Sequence, residues 1–534
     1  MRRIAAAGLC ALFVCTSAAF GQTDWRRGAT CYEVFVRSFY DSDGDGIGDL
    51  KGLIQKLDYI NDGTSRGRHS LGARCIWLMP VAESPSYHGY DVTNYYRVEP
   101  DYGTNEDFKT LIAEAHRRGI KVLVDLVLNH MSSEHPFFQE ALNNPLSPHR
   151  DWFRWSATKR VEKNWGQQVW HRSPVRDEYY YGLFWSGMPD LNYETKAVRD
   201  EAKNVARFWL QEMGVDGFRL DAIPYLVEEG DQLTHTRGTH AVLREFEAYV
   251  RTVAPGAFTI GEVTYSIDAM LSYYPDQLDA YFAFDVADSI IAAVRKGSAK
   301  GLFPSVLRLQ RAIPSERWSP FLRNHDQTRT MTELGGSVSR ARLAATILLT
   351  FPGVPFVYYG EEIGMTGDKP DPRLRTPMHW AYGHAAGFTR GTAWESLQPD
   401  SLTANVESED ADRTSLLNLY RSLIHLRANN PALGSGELLP VVASSDAVAA
   451  YVRRGRDRAV LVVANLGASS PSTLTLYSRG RLLPPGLYTV KDLLGTTQAA
   501  PLRIGPDGRI KNYVPLASIA PMESHVLELS RRIP

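Results

Sequence analysis

Short apolar runs that alternate with amphipathic stretches constrain the fold of this chain more than any other feature. Eight such runs begin at Cys31, Cys75, Lys121, Gly217, Phe258, Ala280, Pro320 and Val354. Continuous apolar runs are typical of parallel strands that are covered on both faces. Between two of them, Thr104 to Asp107 has the capping-box pattern that opens a helix. Eight such units predict an α/β fold, a (β/α)8 TIM barrel, whose functional residues lie at the carboxyl ends of the strands.

The repeat is interrupted once, and it ends well before the carboxyl terminus. Residues 131–195 separate the third run from the next helix, and this stretch is too long for a loop in a compact domain. It therefore predicts an inserted subdomain. From about Gly436 the sequence changes to short alternating runs between Gly, Pro and Ser, which predicts a C-terminal antiparallel β-sandwich over residues 436–534. The barrel then comprises residues 22–130 and 196–435.

The amino terminus has the pattern of a secretory signal peptide, with Arg2 and Arg3 before an apolar run that ends near Ala19. We expect residues 1–21 to be removed and the protein to be exported, either to a periplasm or to the medium. No later segment has the length and apolarity of a membrane span, so we expect no membrane anchor. Two cysteines would remain, Cys31 and Cys75. Their apolar surroundings favour two packed thiols, and a disulfide between them stays open.

The composition argues against one class of partner and is compatible with another. Lysine and arginine number 59 against 60 aspartate and glutamate residues, so there is no electrostatic reason to expect nucleic acid. We expect a monomer. Eleven Trp and 26 Tyr supply flat surfaces of the kind that sugars use. The insert contributes Trp165, Trp170, Tyr179, Tyr180, Tyr181 and Trp185, which can line a cleft, although some of them must pack the insert itself.

Polar side chains gather where the predicted strands end. They are Asp125, Asn129, His130, Arg219, Asp221, Glu262, His325 and Asp326. Side chains two apart on a strand share a face, so Arg219 and Asp221 project together and the guanidinium keeps the carboxylate ionised. A structural ion pair is the alternative for that pair alone, but polar groups at the ends of several strands predict an active site. Three carboxylates suit the cleavage of a glycosidic bond, which needs an acid for the leaving oxygen and a group that attacks or stabilises the sugar cation.

Several segments resemble the α-amylase family, glycoside hydrolase family 13. DLVLNH (125–130), GFRLDA (217–222), GEV (261–263) and FLRNHD (321–326) are similar to its four conserved regions, and MPDLN (188–192) is similar to its fifth. HGYD (88–91), GVPFVYYGEE (353–362) and RTPMHW (375–380) extend the resemblance over essentially the whole mature chain.

The resemblance implies a role for each of the three carboxylates. Asp221 would be the nucleophile that forms a covalent glycosyl-enzyme, Glu262 the general acid and base, and Asp326 a stabiliser of the transition state. The α-anomer would be retained. Because Glu262 must carry a proton when it first acts, we expect its pKa to lie above that of the arginine-paired Asp221.

The resemblance also implies a set of substrate-binding residues, namely Tyr90, Asp91, His130, Arg219, His325 and Arg375. Tyr90 would stack beneath the glucosyl unit that the histidines and Arg219 bind. Asp91 and Arg375 can pair to close the pocket behind a terminal glucose, as in exo-acting relatives. An ordinary surface ion pair is the alternative for these two residues.

The segment DSDGDGIGD, residues 41–49, places oxygen ligands at the alternate positions of a calcium loop. The predicted ligands are Asp41, Asp43, Asp45, the carbonyl of Ile47 and Asp49. Gly52 stands where a helix-loop-helix sensor has glutamate, and the loop instead resembles the structural calcium site of oligo-1,6-glucosidase-like members. A solvated acidic turn is the alternative. Many relatives hold a second, interdomain calcium with a histidine four residues after the nucleophile, where this chain has Tyr225, which argues against that second ion.

The resemblance implies an α-glucan hydrolase that acts on α-1,4 bonds of starch or maltooligosaccharides, with transglycosylation and some α-1,6 cleavage left open. AIPY (222–225) resembles oligo-1,6-glucosidases and trehalose synthases, whereas MPDLN differs from the QPDLN usual there. This mixture is similar to an intermediate group, of mixed specificity, between oligo-1,6-glucosidase-like and neopullulanase-like members. The alternatives are therefore an α-glucosidase or oligo-1,6-glucosidase, and a maltose–trehalose isomerase. A non-catalytic transporter ectodomain is disfavoured, because those relatives tend to lack the catalytic carboxylates.

Overall fold

The computed structural model describes residues 24–64 and 69–532, so the predicted signal peptide lies outside the described residues. Eight parallel strands form one sheet. They are β1 (Cys31–Val34), β2 (Cys75–Leu78), β3 (Lys121–Leu126), β4 (Gly217–Leu220), β5 (Phe258–Gly261), β6 (Ala280–Phe282), β7 (Trp318–Ser319) and β8 (Phe356–Tyr358). Strand β8 pairs with β1, and the Val354 and Phe356 amides donate to the carbonyls of Trp318 and Pro320, which closes the ring between β7 and β8. The predicted barrel is confirmed.

Strand β7 differs from its prediction. The apolar run was expected to form a strand from Pro320, but the strand comprises Trp318–Ser319, and the segment from Pro320 to Asp326 forms the loop that follows. Proline has no N–H to donate, so a ladder does not continue through it in a central strand. The consequence is functional, because FLRNHD then lies at the carboxyl end of the barrel.

Helices surround the barrel. Those of eight or more residues outside the insert are Asn105–Arg117, Lys196–Arg207, Arg237–Val253, Phe284–Lys296, Pro304–Ala312, Val338–Thr350 and Leu416–Asn429. The predicted capping box is present, since the Thr104 side chain accepts from the Asp107 amide and the Asp107 side chain accepts from the Thr104 amide. The helix that follows buries Phe108, Leu111, Ile112 and Ala115, whose spacing places them on one face.

The insert forms small sheets of its own above the barrel. Trp155–Ser156, Trp170–Arg172 and Tyr179–Tyr181 form one sheet, Lys163–Asn164 pairs with Gln167–Gln168, and Pro136–Asn143 is helical. The Leu191 amide donates to the Asn129 carbonyl at 2.8 Å, so the end of the insert is hydrogen-bonded to the segment that leaves β3. This connection holds the insert over the carboxyl ends of the strands.

The C-terminal part is an antiparallel sheet of seven strands. The strands are Glu437–Ala443, Val448–Arg454, Ala459–Asn465, Leu476–Tyr477, Gly486–Asp492, Leu502–Ile504 and Ser524–Arg531. One face packs against the barrel, where the ring of Tyr451 lies 5.3 Å from that of Phe351. The opposite face carries Val452, Leu461 and Val463 in a second apolar cluster. The sheet is therefore buried on both sides, and the predicted C-terminal antiparallel β domain is present as a single sheet.

Cys31 and Cys75 form a disulfide, with their Cα atoms 4.4 Å apart. The preference for two separate packed thiols is therefore wrong. The reason is register, because parallel pairing of β1 and β2 sets Cys31 directly beside Cys75. Within the described ranges, no helix has the length and apolarity needed to cross a membrane.

Candidate active site

A buried guanidinium holds together the carboxylates at the ends of β3, β4 and β5. Arg219 in β4 is 1% exposed. Its Nη1 lies 2.6 Å from Asp221 Oδ1 and 2.9 Å from Asp125 Oδ1, and its Nη2 lies 2.7 Å from Glu262 Oε2. The strand register explains this arrangement, since Arg219 pairs with Asp125 on one side and with Ile260, two residues before Glu262, on the other. One arginine therefore orients three acids.

The acids in this cluster outnumber its single guanidinium. Burial raises the pKa of Glu262; Arg219 opposes the rise and the Asp221 charge adds to it. Burial likewise raises the pKa of Asp125 to about 7, against the attraction of Arg219. A carboxyl group whose neighbours are also negative keeps its proton to higher pH. Glu262 therefore has the environment of a general acid.

A second cluster forms around His325, which follows β7. Its Nδ1 lies 2.6 Å from Glu33 Oε1, and its Nε2 lies 2.7 Å from the Tyr90 hydroxyl and 3.1 Å from Asp326 Oδ2. Burial opposes protonation of the imidazole, but Asp326 and Glu33 outweigh it and raise the pKa of His325 to about 9. Burial would raise the pKa of Asp326, but His325 and Arg375 hold it well below its usual value. His325 and Asp326 are therefore a charged pair at neutral pH.

Arg375 faces the active site, but its partners are not the predicted ones. Its Nη2 lies 2.8 Å from Asp326 Oδ1 and 3.6 Å from Asp371 Oδ2. Asp91 instead accepts from Ser84 Oγ at 2.7 Å and from Ser86 Oγ. The expected pairing of Asp91 with Arg375 is therefore wrong, because Asp91 turns toward the serines that precede it. Asp371, four residues before Arg375 along a helical turn, takes the place of Asp91.

The two clusters line one cavity of about 300 Å³, which contains Asp221, Glu262 and Asp326 together with Tyr90, His130 and Arg375. Ala222, next to Asp221, has a φ of +48°. A left-handed conformation costs a residue with a side chain roughly 1–2 kcal/mol. Such local strain is found where a turn must present a functional group, as this turn presents Asp221.

His130 contributes an unused polar atom to the site. Burial lowers its pKa, so the ring is neutral at physiological pH. Among the residues that the structure describes, its buried Nε2 has no hydrogen-bond partner. An unsatisfied buried polar atom is costly, so a ligand hydroxyl in the cavity would relieve it.

Sequence reasoning missed several residues of the site. Glu33 was not singled out, although an acid within the apolar run CYEVFV was a usable signal, since a buried carboxylate needs a partner. Asp371 and Thr264 carried no comparable signal, because Asp371 lies on a single helical turn and Thr264 in a loop, and the positions of both depend on the fold. Asp125 was recognised as a strand-end acid, but its contact with Arg219 was not.

The acidic loop at 41–49 brings carboxylates together away from this cavity. Oxygen atoms of Asp41, Asp43 and Asp49 lie within 4.8 Å of one another, and the Asp45 side chain accepts from the Ile47 amide at 2.7 Å. Gly46 has a φ of +98°, and a Cβ there would lie 1.9 Å from the Thr392 carbonyl oxygen. The donor set, three carboxylates on a tight loop, fits a hard cation such as calcium.

The region where many relatives hold a second calcium contains two side-chain hydrogen bonds. Asn129 Nδ2 donates to Asp190 Oδ2 at 3.0 Å. The Tyr225 hydroxyl, at the position where many relatives have histidine, lies 2.7 Å from the Tyr265 hydroxyl. The Tyr225 side chain therefore forms part of the cavity wall.

Comparison with known proteins agrees with this geometry. The family profile described as "Alpha amylase, catalytic domain" matches residues 33–436. The chain is 40% identical over 450 residues to Alpha-amylase 3 of Dictyoglomus thermophilum, covering 83% of this chain and 85% of the relative. It is 35% identical to a trehalose synthase/amylase of Mycolicibacterium smegmatis, with 81% of each chain covered. The crystal structure of an alpha-amylase from H. orenii superposes with a TM-score of 0.81 at 37% identity, covering 94% of this chain and all of that one. The barrel, the acids around Arg219 and these matches together show that the chain belongs to the α-amylase family of glycosidases.

Proposed function

We propose that this protein is a retaining glycosidase that cleaves α-1,4-glucosidic bonds of starch and maltooligosaccharides. The observation that carries the proposal is the guanidinium of Arg219, which binds Asp221 through one nitrogen and Glu262 through the other. Two carboxyl groups on one arginine face the same cavity. That arrangement suits a nucleophile and a proton donor that act on opposite sides of one glycosidic bond.

The first step would join the sugar to Asp221. An oxygen of Asp221 attacks C1 of the glucosyl unit as the bond from C1 to the glycosidic oxygen breaks, and the proton of Glu262 passes to that oxygen. In the second step the Glu262 carboxylate takes a proton from water, the water oxygen attacks C1, and the bond to Asp221 breaks. Each step inverts the configuration at C1, so the two steps together retain it. The raised pKa of Glu262 favours its protonated form before the first step.

The remaining groups would bind the glucosyl unit as its ring flattens and gains positive charge. Asp326, held ionised by His325 and Arg375, offers a fixed negative charge. Its interaction strengthens as positive charge develops at C1, which lowers the barrier. Tyr90, stacked on His325 at an interplanar angle of 14°, presents a flat face to the sugar.

The choice of an α-1,4-glucan rests on the relative named alpha-amylase. A second candidate, interconversion of maltose and trehalose, is favoured by the relative named trehalose synthase/amylase. The two reactions share the glycosyl-enzyme. They differ in whether water or the released sugar attacks it.

A product profile decides between the candidates. Starch, maltotriose, isomaltose, maltose and trehalose are each incubated with the enzyme, and products and their anomeric configuration are followed by NMR. We expect α-configured maltooligosaccharides from starch. Trehalose formed from maltose would replace the proposal with the second candidate, and turnover of isomaltose alone would favour an oligo-1,6-glucosidase. Asp221→Ala should abolish turnover of every substrate, and a fluorinated glycosyl fluoride should label Asp221 covalently.

We further propose that the loop at 41–49 holds a structural calcium ion through Asp41, Asp43 and Asp49, with Asp45 and the Ile47 carbonyl completing the set. The ion would tie this loop to the neighbouring 389–394 segment, whose Thr389 donates to Asp41. Calorimetric titration of chelator-treated protein should show one site, and chelation should lower the melting temperature. Asp43→Asn should weaken binding, whereas Asp62→Asn, in a turn outside this loop, should not. Equal melting temperatures with calcium and with chelator would contradict this.

We propose that the protein acts outside the cytoplasm as a monomer. The support for export is the amino-terminal sequence pattern at residues 1–21. Expression of the full-length chain, followed by amino-terminal sequencing of any secreted form, tests export. The mass of that form in solution tests the monomer.

A further inference from the structure

Trp165 stands where neither backbone conformation nor burial explains a tryptophan. It is the first residue of a two-residue turn between Lys163–Asn164 and Gln167–Gln168, with a φ of +47°, and Gly166 follows at +79°. Such turns favour Asn-Gly, and a left-handed conformation is unfavourable for a bulky residue. The indole is also 59% exposed. A bulky residue held in a left-handed conformation is a candidate ligand contact, because such strained positions cluster at functional sites.

The indole lies on one wall of the catalytic cavity. Its ring centroid is 5.7 Å from that of Phe184 and 5.6 Å from that of Tyr225, and all three residues line the cavity that contains Asp221 and Glu262. The Tyr225 hydroxyl lies 2.7 Å from that of Tyr265, three residues beyond Glu262. The wall that Trp165 extends is therefore connected to the segment that carries the general acid.

Another part of the cavity is polar. Asp326, Arg375 and Asp371 form an ion-paired group there, and His325 and Tyr90 adjoin it. Charged and hydroxyl-bonding groups suit the glucosyl unit that reacts. A general acid must lie beside the oxygen that it protonates, so the leaving sugar lies on the Glu262 side.

We propose that Trp165 is the stacking platform for the leaving sugar and for the sugar that accepts the glycosyl group, and so sets the ratio of transfer to hydrolysis. The inference rests on the proposed function and deepens it. In transfer, an acceptor hydroxyl oxygen attacks C1, the bond from C1 to Asp221 breaks, and the hydroxyl proton passes to Glu262. Water competes for the same intermediate. A sugar held on the indole raises the local concentration of the acceptor, whereas water needs no platform.

Glycosyl fluorides separate the two roles, because they have no leaving sugar. With α-glucosyl or α-maltosyl fluoride the C1–F bond breaks as the bond to Asp221 forms, and fluoride departs with the Glu262 proton. The test variant is Trp165→Asn, which restores the favoured Asn-Gly turn while it removes the indole. We expect its melting temperature to equal or exceed that of the wild type. Fluoride release without acceptor should stay within about twofold, since the indole is not needed for that step.

When maltose is added as the acceptor, Trp165→Asn should transfer less of the glycosyl group to it than the wild type does. The ratio of transfer product to hydrolysis product should fall about two- to tenfold in Trp165→Asn, and kcat/KM for maltotriose should fall by a similar factor, because the stacking contact with the sugar is lost. Trp165→Phe, which keeps a ring, should retain part of the transfer. Trp185→Ala is the matched control: its indole, 49% exposed in the same insert, covers Gly187. It should leave the ratio unchanged.

The outcomes separate the two proposals. A wild-type enzyme that turns over neither fluoride nor maltotriose overturns the proposed function, and the inference with it. A wild-type enzyme that transfers, alongside a Trp165→Asn variant that transfers equally well, overturns only the role of Trp165. Equal loss of fluoride hydrolysis and of transfer in both Trp165 variants would also overturn it, since the indole would then support the site as a whole.

Discussion

Glu33 in β1 accepts a hydrogen bond from His325 Nδ1 at 2.6 Å, across the interior of the barrel. Glu33 is 2% exposed and His325 is fully buried. A buried acid beside a buried imidazole stabilises the imidazolium, and the imidazolium in turn holds Asp326 ionised. The charge state of Asp326 therefore depends on an acid in the first strand.

Glu33→Gln should move the alkaline limit of activity to lower pH. The raised pKa of His325, about 9, keeps the ring charged below that pH. Without the Glu33 charge the pKa falls, so the imidazolium is lost at lower pH. We expect kcat/KM at pH 8 to fall roughly tenfold or more, the size of one charge-assisted hydrogen bond. A pH profile of kcat/KM measures this. Glu33→Asp should restore part of the activity at alkaline pH. If Glu33→Gln has the same kcat/KM as the wild type at alkaline pH, Glu33 does not control the charge of His325.

Arg219→Lys should be nearly as damaging as loss of the arginine. The planar guanidinium contacts Asp125, Asp221 and Glu262 at once, whereas an ammonium is a point charge that cannot span all three. We expect kcat to fall by roughly 10²–10⁴, the range for a misplaced catalytic proton donor.

Circular dichroism and melting temperature of Arg219→Lys verify folding, and Arg117→Lys, on an exposed helix surface, is the matched control. A kcat for Arg219→Lys equal to that of the wild type would show that the simultaneous contacts of the guanidinium with Asp125, Asp221 and Glu262 are not needed.

Glu361→Gln should stabilise the protein at alkaline pH. Burial raises the pKa of Glu361 to about 7, although hydrogen bonds from Thr330 and Tyr420 oppose the rise. Because the folded pKa exceeds the unfolded value, the contribution of this group to stability is fully present below about 4.5 and is lost as pH rises through about 7. Glutamine mimics the protonated form, so the melting temperature at pH 8 should rise by roughly 2–4 °C.

The measurement for Glu361→Gln is melting temperature from pH 4 to pH 9. The melting temperature of the wild type should decline between about pH 4.5 and 7, and that of the variant should decline less. Glu106→Gln, whose side chain is 79% exposed, should follow the wild-type curve. A lower melting temperature for Glu361→Gln at pH 8 would mean that the ionised carboxylate is the stabilising form.

Thr104→Ala should destabilise the helix at Asn105–Arg117. The Thr104 side chain satisfies the Asp107 amide, and alanine leaves that donor without a side-chain partner. The cost should be about 1 kcal/mol in the free energy of unfolding. Denaturant titration measures it, with Thr104→Ser as the variant that keeps the cap. A Thr104→Ala protein as stable as Thr104→Ser would contradict the capping role.

Much of the fold and of the site followed from local patterns. The capping box at Thr104, the buried strands and the Arg219–Asp221 contact depend on residues close in sequence, where backbone geometry alone relates the side chains. The pairing of Asp91 with Arg375 was wrong because the two residues are distant in sequence, and the fold turns Asp91 toward the serines that precede it. Arg375 instead contacts Asp326 and Asp371. Glu33 was missed for the same reason, since its partner His325 lies 292 residues away.

The sequence by itself determined the barrel, the family and the acids that gather at the strand ends, because periodicity and short motifs are local properties of the chain. The tertiary structure alone decided which of these groups touch. Strand register set Cys31 beside Cys75 and Arg219 between Asp125 and Glu262. The path of the insert brought Trp165 to the wall of the cavity. These contacts depend on how separate segments pack against one another, and no local pattern of residues records that packing.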